Sequence, residues 1–134
     1  MGAQVTRAAL LQVLADRQAR PFRWGVHDCC LWAADCVRAQ TGNDPAAGLR
    51  GAYADATGAL RLLRNLGGLR AVASRAGEPI APMAAADGDI GLIPAGKRAC
   101  LAVCFGEVWM LAGTHGLVPQ PLDSAVAAWR VRRG

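Results

Sequence analysis

One stretch of the chain carries the residue types of nucleophilic chemistry. Arg23-Trp24-Gly25-Val26-His27-Asp28-Cys29-Cys30 sets a cysteine directly behind an aspartate, at the head of a segment with helical spacing. Asp28 is suited to cap that helix. Cys29, Trp32, Ala33, Cys36 and Val37 then share one small, apolar face. A thiol in the first turn of a helix meets the positive end of the helix dipole and free backbone N–H groups. Both favour thiolate, the nucleophilic form, and the N–H groups can hold an oxyanion formed on an attacked carbonyl. Such a nucleophile needs a base, normally histidine, oriented by a third polar group. The histidines are His27, two residues before Cys29, and His115. Trp24 and Asp28 are the candidate walls of a substrate groove.

Each cysteine also has an unreactive assignment, because free cysteine behaves as a small buried hydrophobe. Cys36 lies two turns from Cys29 on the same helix face. Cys100 and Cys104 are four apart on one strand and so share a face. The chain has five cysteines, an odd number, and no CxxC pair, which argues against a disulfide framework and for a reducing compartment. Convergence of Cys29, Cys36, Cys100 and Cys104 would suit zinc or an iron–sulfur cluster. The close ligand pairs of such sites are missing, so no metal and no cofactor is expected.

The elements that must position these residues are legible in outline. Thr6 is the expected cap of a first helix that runs to about Gln18 and ends before Pro21. The second helix spans Cys29 to about Gln40 and is closed by Gly42. A third runs from about Asp55 to Leu66 and stops at Gly67-Gly68; a shorter fourth covers about Leu69–Ala76. Glu78–Asp87, with Pro79 and Pro82, reads as a connector. Asp89–Pro94, Ala99–Phe105, Val108–Ala112 and Ala127–Arg132 read as strands. Leu117–Leu122 is a further edge strand, limited by Pro119 and Pro121. A two-residue turn at Gly106-Glu107 would place Gly113 opposite Cys100 and His115 just beyond, near Arg98. Helices first and antiparallel strands last make an α+β fold.

At 134 residues the chain is read as one domain, residues 1–134. Hydrophobic residues make up 53% and charged residues 19%, which is a globular and not a disordered balance. No apolar run reaches membrane-span length, and Arg7, Asp16 and Arg17 interrupt the N-terminal segment, so a signal peptide is not expected. The net charge of +5 comes almost wholly from scattered arginines, which argues against a nucleic-acid surface. Arg130, Arg132 and Arg133 read as a solvated tail.

Trp-Gly-x-x-Asp-Cys at a helix start, a Gly-Asp-Ile strand and a following β-hairpin resemble the NlpC-type cell-wall peptidases, from about Pro21 to Trp129. The short, cysteine-doubled form is similar to the branch found among phage and prophage tail genes. The resemblance implies a papain-like fold, with the Cys-bearing helix packed on a C-terminal antiparallel sheet. It also implies that Cys29 is the nucleophile position and that Gly88-Asp89-Ile90 is the family's Gly-Asp-Leu. The strand that opens with the catalytic histidine in the family opens here with Cys100, and the position of the second polar group is Ala112. The functions implied are therefore a phage tail-tip structural or assembly component with a degenerate site, or a peptidase or amidase cleaving peptidoglycan stem peptides, with Cys29 attacking and His115 as a relocated base. A thioester-handling hydrolase or transferase is a third. The partners implied are other tail proteins or peptidoglycan, with the protein in the virion, or in the bacterial cytoplasm before assembly.

Overall fold

The computed structural model describes the backbone of residues 2–131 and the side chains from Arg7 onward. Four helices come first: α1 (Gly2–Gln18), α2 (Cys29–Thr41), α3 (Ala56–Asn65) and α4 (Leu69–Ser74). Six strands follow: β1 (Gly77–Ile80), β2 (Ile90–Ala95), β3 (Arg98–Phe105), β4 (Val108–Gly113), β5 (Gly116–Pro121) and β6 (Ala127–Val131). No helix among the described residues is long and apolar enough to cross a membrane.

Local chemistry sets the helix limits. Asp28 has extended backbone and its carboxylate accepts the Leu31 N–H at 3.0 Å, a cap worth about 1 kcal/mol. Gly42, at φ 81°, turns left-handed and donates its N–H to the Arg38 carbonyl, ending α2 as the sequence predicts. Asp55 caps α3 through Gly58 N–H at 2.7 Å. Thr6 is not a cap, since α1 already runs from Gly2; nothing in Gly2–Val5 breaks a helix outright.

The strands form one antiparallel sheet in the order β1-β6-β2-β3-β4-β5. β1 occupies part of what reads as a connector. Pro79 is tolerated there because β1 is an edge strand that pairs only with β6. Gly106-Glu107 makes the expected hairpin, with Val103 opposite Met110 and Phe105 opposite Val108. The β3–β4 register ends at that Val103–Met110 pair, so it does not extend to Cys100 and Gly113. Trp32 of α2 donates its indole N–H to the Met110 carbonyl at 2.9 Å and stacks on Phe105 at 6.1 Å. On its other edge β4 pairs with β5 along its whole length, and Cys100 pairs with Ile93 of β2.

Two apolar clusters result. The larger joins α2 to the sheet through Leu31, Trp32, Cys36, Ile90, Leu101 and Val103. The smaller holds Ile93, Ala102, Cys104, Trp109, Ala125 and Ala128. A Cβ on Gly91 would stand 2.9 Å from the Trp109 ring, so only glycine fits there. Asp89 is fully buried and accepts from Ala86 N–H (2.9 Å), Val131 N–H (3.2 Å) and Arg130 Nε (3.2 Å). It ties β6 and the preceding turn to β2. Arg130 is accordingly a structural residue in β6 and not part of a solvated tail; Arg132 and Arg133 lie outside the described residues.

Candidate functional site

The site is organised around Asp28, which is 1% exposed. One carboxylate oxygen caps α2. The other accepts the Gly25 N–H at 2.9 Å and the Tyr53 hydroxyl at 2.5 Å. Buried Arg17 donates to the Asp28 carbonyl at 2.8 Å and lies over the Trp32 ring. Burial and then the bond to Asp28 push the Tyr53 phenol upward, so it keeps its proton and donates. Gly25 sits at φ 80°, and a Cβ on it would stand 2.1 Å from the Tyr53 carbonyl oxygen. Gly51 N–H also bonds the Gly25 carbonyl at 2.8 Å. These contacts fix the loop ahead of Cys29 against the segment before α3, so the thiol is held at a defined point.

Cys29 is the first residue of α2, as expected, and its partner is Cys100. The two side chains share a hydrogen bond. They are the half-exposed cysteines of the chain, whereas Cys30, Cys36 and Cys104 are buried. The hydrogen bond from Cys29 lowers the Cys100 thiol to about 7. The same bond, then burial, then the negative charge on Cys100, raise the Cys29 thiol well above the usual range. The pair thus releases one proton near neutrality and holds the second far more tightly. Burial holds Cys30 and Cys104 up at about 12 and raises Cys36 as well. Cys36 and Cys104 belong to different apolar clusters, so Cys29, Cys36, Cys100 and Cys104 do not converge on one point. Cys104 instead donates to the Gly106 carbonyl at 3.4 Å.

Cys29 and Cys100 line a cleft of about 600 Å³. Its walls are mostly apolar, from Trp24, Tyr53, Leu60, Leu63, Leu69 and Leu92. Trp24 and Asp28 border it, where the sequence predicts a groove. Four cations, Arg64, Arg70, Lys97 and Arg98, lie around it, all exposed; its one acid is the buried Asp28.

Both histidines line a different cleft of about 420 Å³, with Arg17, Arg20, Phe22 and the Ala112–Leu117 segment. His115 is exposed in the turn between β4 and β5. His27 is part-buried, and its backbone pairs with Arg23 across the loop. Burial and then Arg17 lower its pKa, so it is neutral at pH 7. Ala112 is buried in β4 opposite Leu117. The cleft that contains Cys29 is thus bordered by neither imidazole. Sequence reasoning did not single out Tyr53 or Arg17, and no local pattern marks either. For Cys100 there was a signal, namely its place where the resemblance puts a histidine.

This arrangement can hold one negative charge on sulfur beside a second, protonated sulfur. An imidazole partner would become a cation and stabilise a thiolate on Cys29 as an ion pair; a thiol partner cannot, and full ionisation would leave two adjacent anions.

The chain belongs to the family described as "Domain of unknown function (DUF6950)", whose model matches residues 3–131. No curated protein sequence matches the chain. Among solved structures it is similar to the crystal structure of the NlpC/p60 domain of the peptidoglycan hydrolase SagA. The two share 15% identity at a TM-score of 0.58, over 92% of this chain and 97% of that one. The fold is therefore α+β and papain-like, of the NlpC/p60 type, with N-terminal helices on a six-stranded antiparallel sheet.

Proposed function

We propose that this domain is a non-hydrolytic NlpC/p60-type module that serves as a structural or assembly component of a phage or prophage tail tip. The observation that carries the loss of hydrolysis is the Cys100 thiol beside Cys29, where acyl transfer needs an imidazole. A thiol–thiolate pair supplies neither a cation for the nucleophile nor a poised acid for the leaving amine. The tail-tip setting comes from the sequence resemblance, and with it come other tail proteins as partners and the virion, after assembly in the bacterial cytoplasm, as location.

A second reading is favoured by the position of Cys29 in the first turn of α2 and in an open cleft. In it the domain cleaves peptidoglycan stem peptides with Cys29 as nucleophile and His115 as base, and Trp24 and Asp28 border the substrate. Purified domain incubated with peptidoglycan and analysed by mass spectrometry separates the two. We expect no released stem peptides from the natural chain. Release that is lost in both Cys29→Ala and His115→Ala would establish the second reading. The tail setting is checked by peptide mapping of purified virions, from which its absence would remove that part of the proposal.

A further inference from the structure

Two features of the cleft go unused by either reading: the capacity of its two neighbouring sulfurs to bond to each other, and the ring of cations. We propose that Cys29 and Cys100 form a redox dithiol, closing to an intramolecular disulfide by exchange with a disulfide compound whose anionic groups sit among Arg64, Arg70, Lys97 and Arg98.

The geometry meets what exchange requires. Both cysteines border the same cleft, and each is the largest influence on the other's ionisation. Each is held on a rigid element: Cys29 by the Asp28 cap of α2, Cys100 by its pairing with Ile93 in the sheet. The attacking species in exchange is a thiolate, and the best attacker ionises near the ambient pH. Cys100 meets this condition, being lowered to about 7 by its neighbour. Cys36 and Cys104 do not line the cleft, and Cys30, which does, is buried and held up at about 12, so none of the three competes.

The steps balance without a further reactant. The Cys100 thiolate attacks one sulfur of the disulfide RSSR, forming the Cys100–SR mixed disulfide and releasing RS⁻, which takes a proton from solvent. Conversion of the Cys100 thiolate to a mixed disulfide removes both the hydrogen bond and the charge that, with burial, hold the proton on Cys29. Cys29 then gives its proton to solvent and attacks the Cys100 sulfur, displacing the second RS⁻, which is protonated in turn. Two protein thiols are oxidised to one disulfide, and RSSR is reduced to two RSH. The mostly apolar walls and the exposed cations select the charge class of R, since a one-sign rim raises the encounter rate of an oppositely charged reagent. This inference does not rest on the tail-tip reading, and its test uses no peptidoglycan.

The reduced full chain is equilibrated in graded mixtures of oxidised and reduced glutathione, quenched by alkylation and peptide-mapped. The expected product is a Cys29–Cys100 cross-linked peptide rising through one midpoint, with Cys30, Cys36 and Cys104 still reduced. In Cys29→Ala the cross-link is lost and a glutathione mixed disulfide collects on Cys100. If that variant fails to fold, the map of the natural chain decides alone. A chain that stays reduced in oxidised glutathione, stops at mixed disulfides, or bridges other cysteines overturns the dithiol. Oxidised glutathione should react about tenfold or more faster than uncharged hydroxyethyl disulfide at low salt, with the advantage shrinking as salt is added. Equal rates overturn the anionic class.

Discussion

The segment from Trp24 to Cys30 borders several clefts, and the ingredients of cysteine hydrolysis are divided between two of them. One cleft holds Cys29, Cys100 and the exposed cations; the other holds His27, His115 and Arg17. The side-chain types are those of a thiol–imidazole enzyme, but a base acts only within hydrogen-bond reach, directly or through one water. Where an imidazole would make Cys29 a nucleophile paired with a cation, Cys100 makes it the proton-holding half of a dithiol. One residue of β3 thus sets which partner Cys29 meets, while the Asp28 framework fixes where Cys29 stands.

The largest effect is expected where the two clefts share a support. Asp28→Ala strands the Gly25 and Leu31 N–H groups and the Tyr53 hydroxyl. It should destabilise the domain by on the order of 3 kcal/mol, read as a lowered midpoint of urea unfolding. An unchanged midpoint would mean that Asp28 does not hold the loop. A smaller effect confined to the sulfur cleft is expected from Cys29→Ala. Losing the hydrogen bond returns Cys100 from about 7 toward the ordinary thiol range near 8.5. Its alkylation at pH 7 should then slow by roughly tenfold. Because the folded-state pKa is depressed, the reactivity of Cys100 in the natural chain should fall away only as pH drops through about 7.

Most of the framework is legible in the sequence because local rules fix it. The Asp28 cap, the Gly42 stop and the Gly106-Glu107 hairpin each depend on a few neighbouring residues, and each stands as expected. β1 is hidden because Pro79 and Pro82 signal a loop, and only the availability of β6 as a partner makes Gly77–Ile80 a strand. The reach of the β3–β4 ladder is hidden for a similar reason. The turn sets its register, but Trp32, from a distant helix, bonds Met110 where the pairing of these strands gives out. Cys100 illustrates the limit most sharply. Period-2 spacing assigns it to the core with Cys104, while the family pattern assigns it to the site. Tertiary packing decides between them, sealing Cys104 and setting Cys100 against Cys29.

The central claim is that the partner of Cys29 is Cys100 and not an imidazole. It is tested most directly by the pH profile of thiol alkylation, followed by mass spectrometry at Cys29 and Cys100, in the natural chain, His115→Ala and Cys100→Ala. A half-point near 7 is expected at Cys100, with the same profile in His115→Ala and a changed Cys29 profile in Cys100→Ala. A profile that shifts in His115→Ala and stays in place in Cys100→Ala would contradict it.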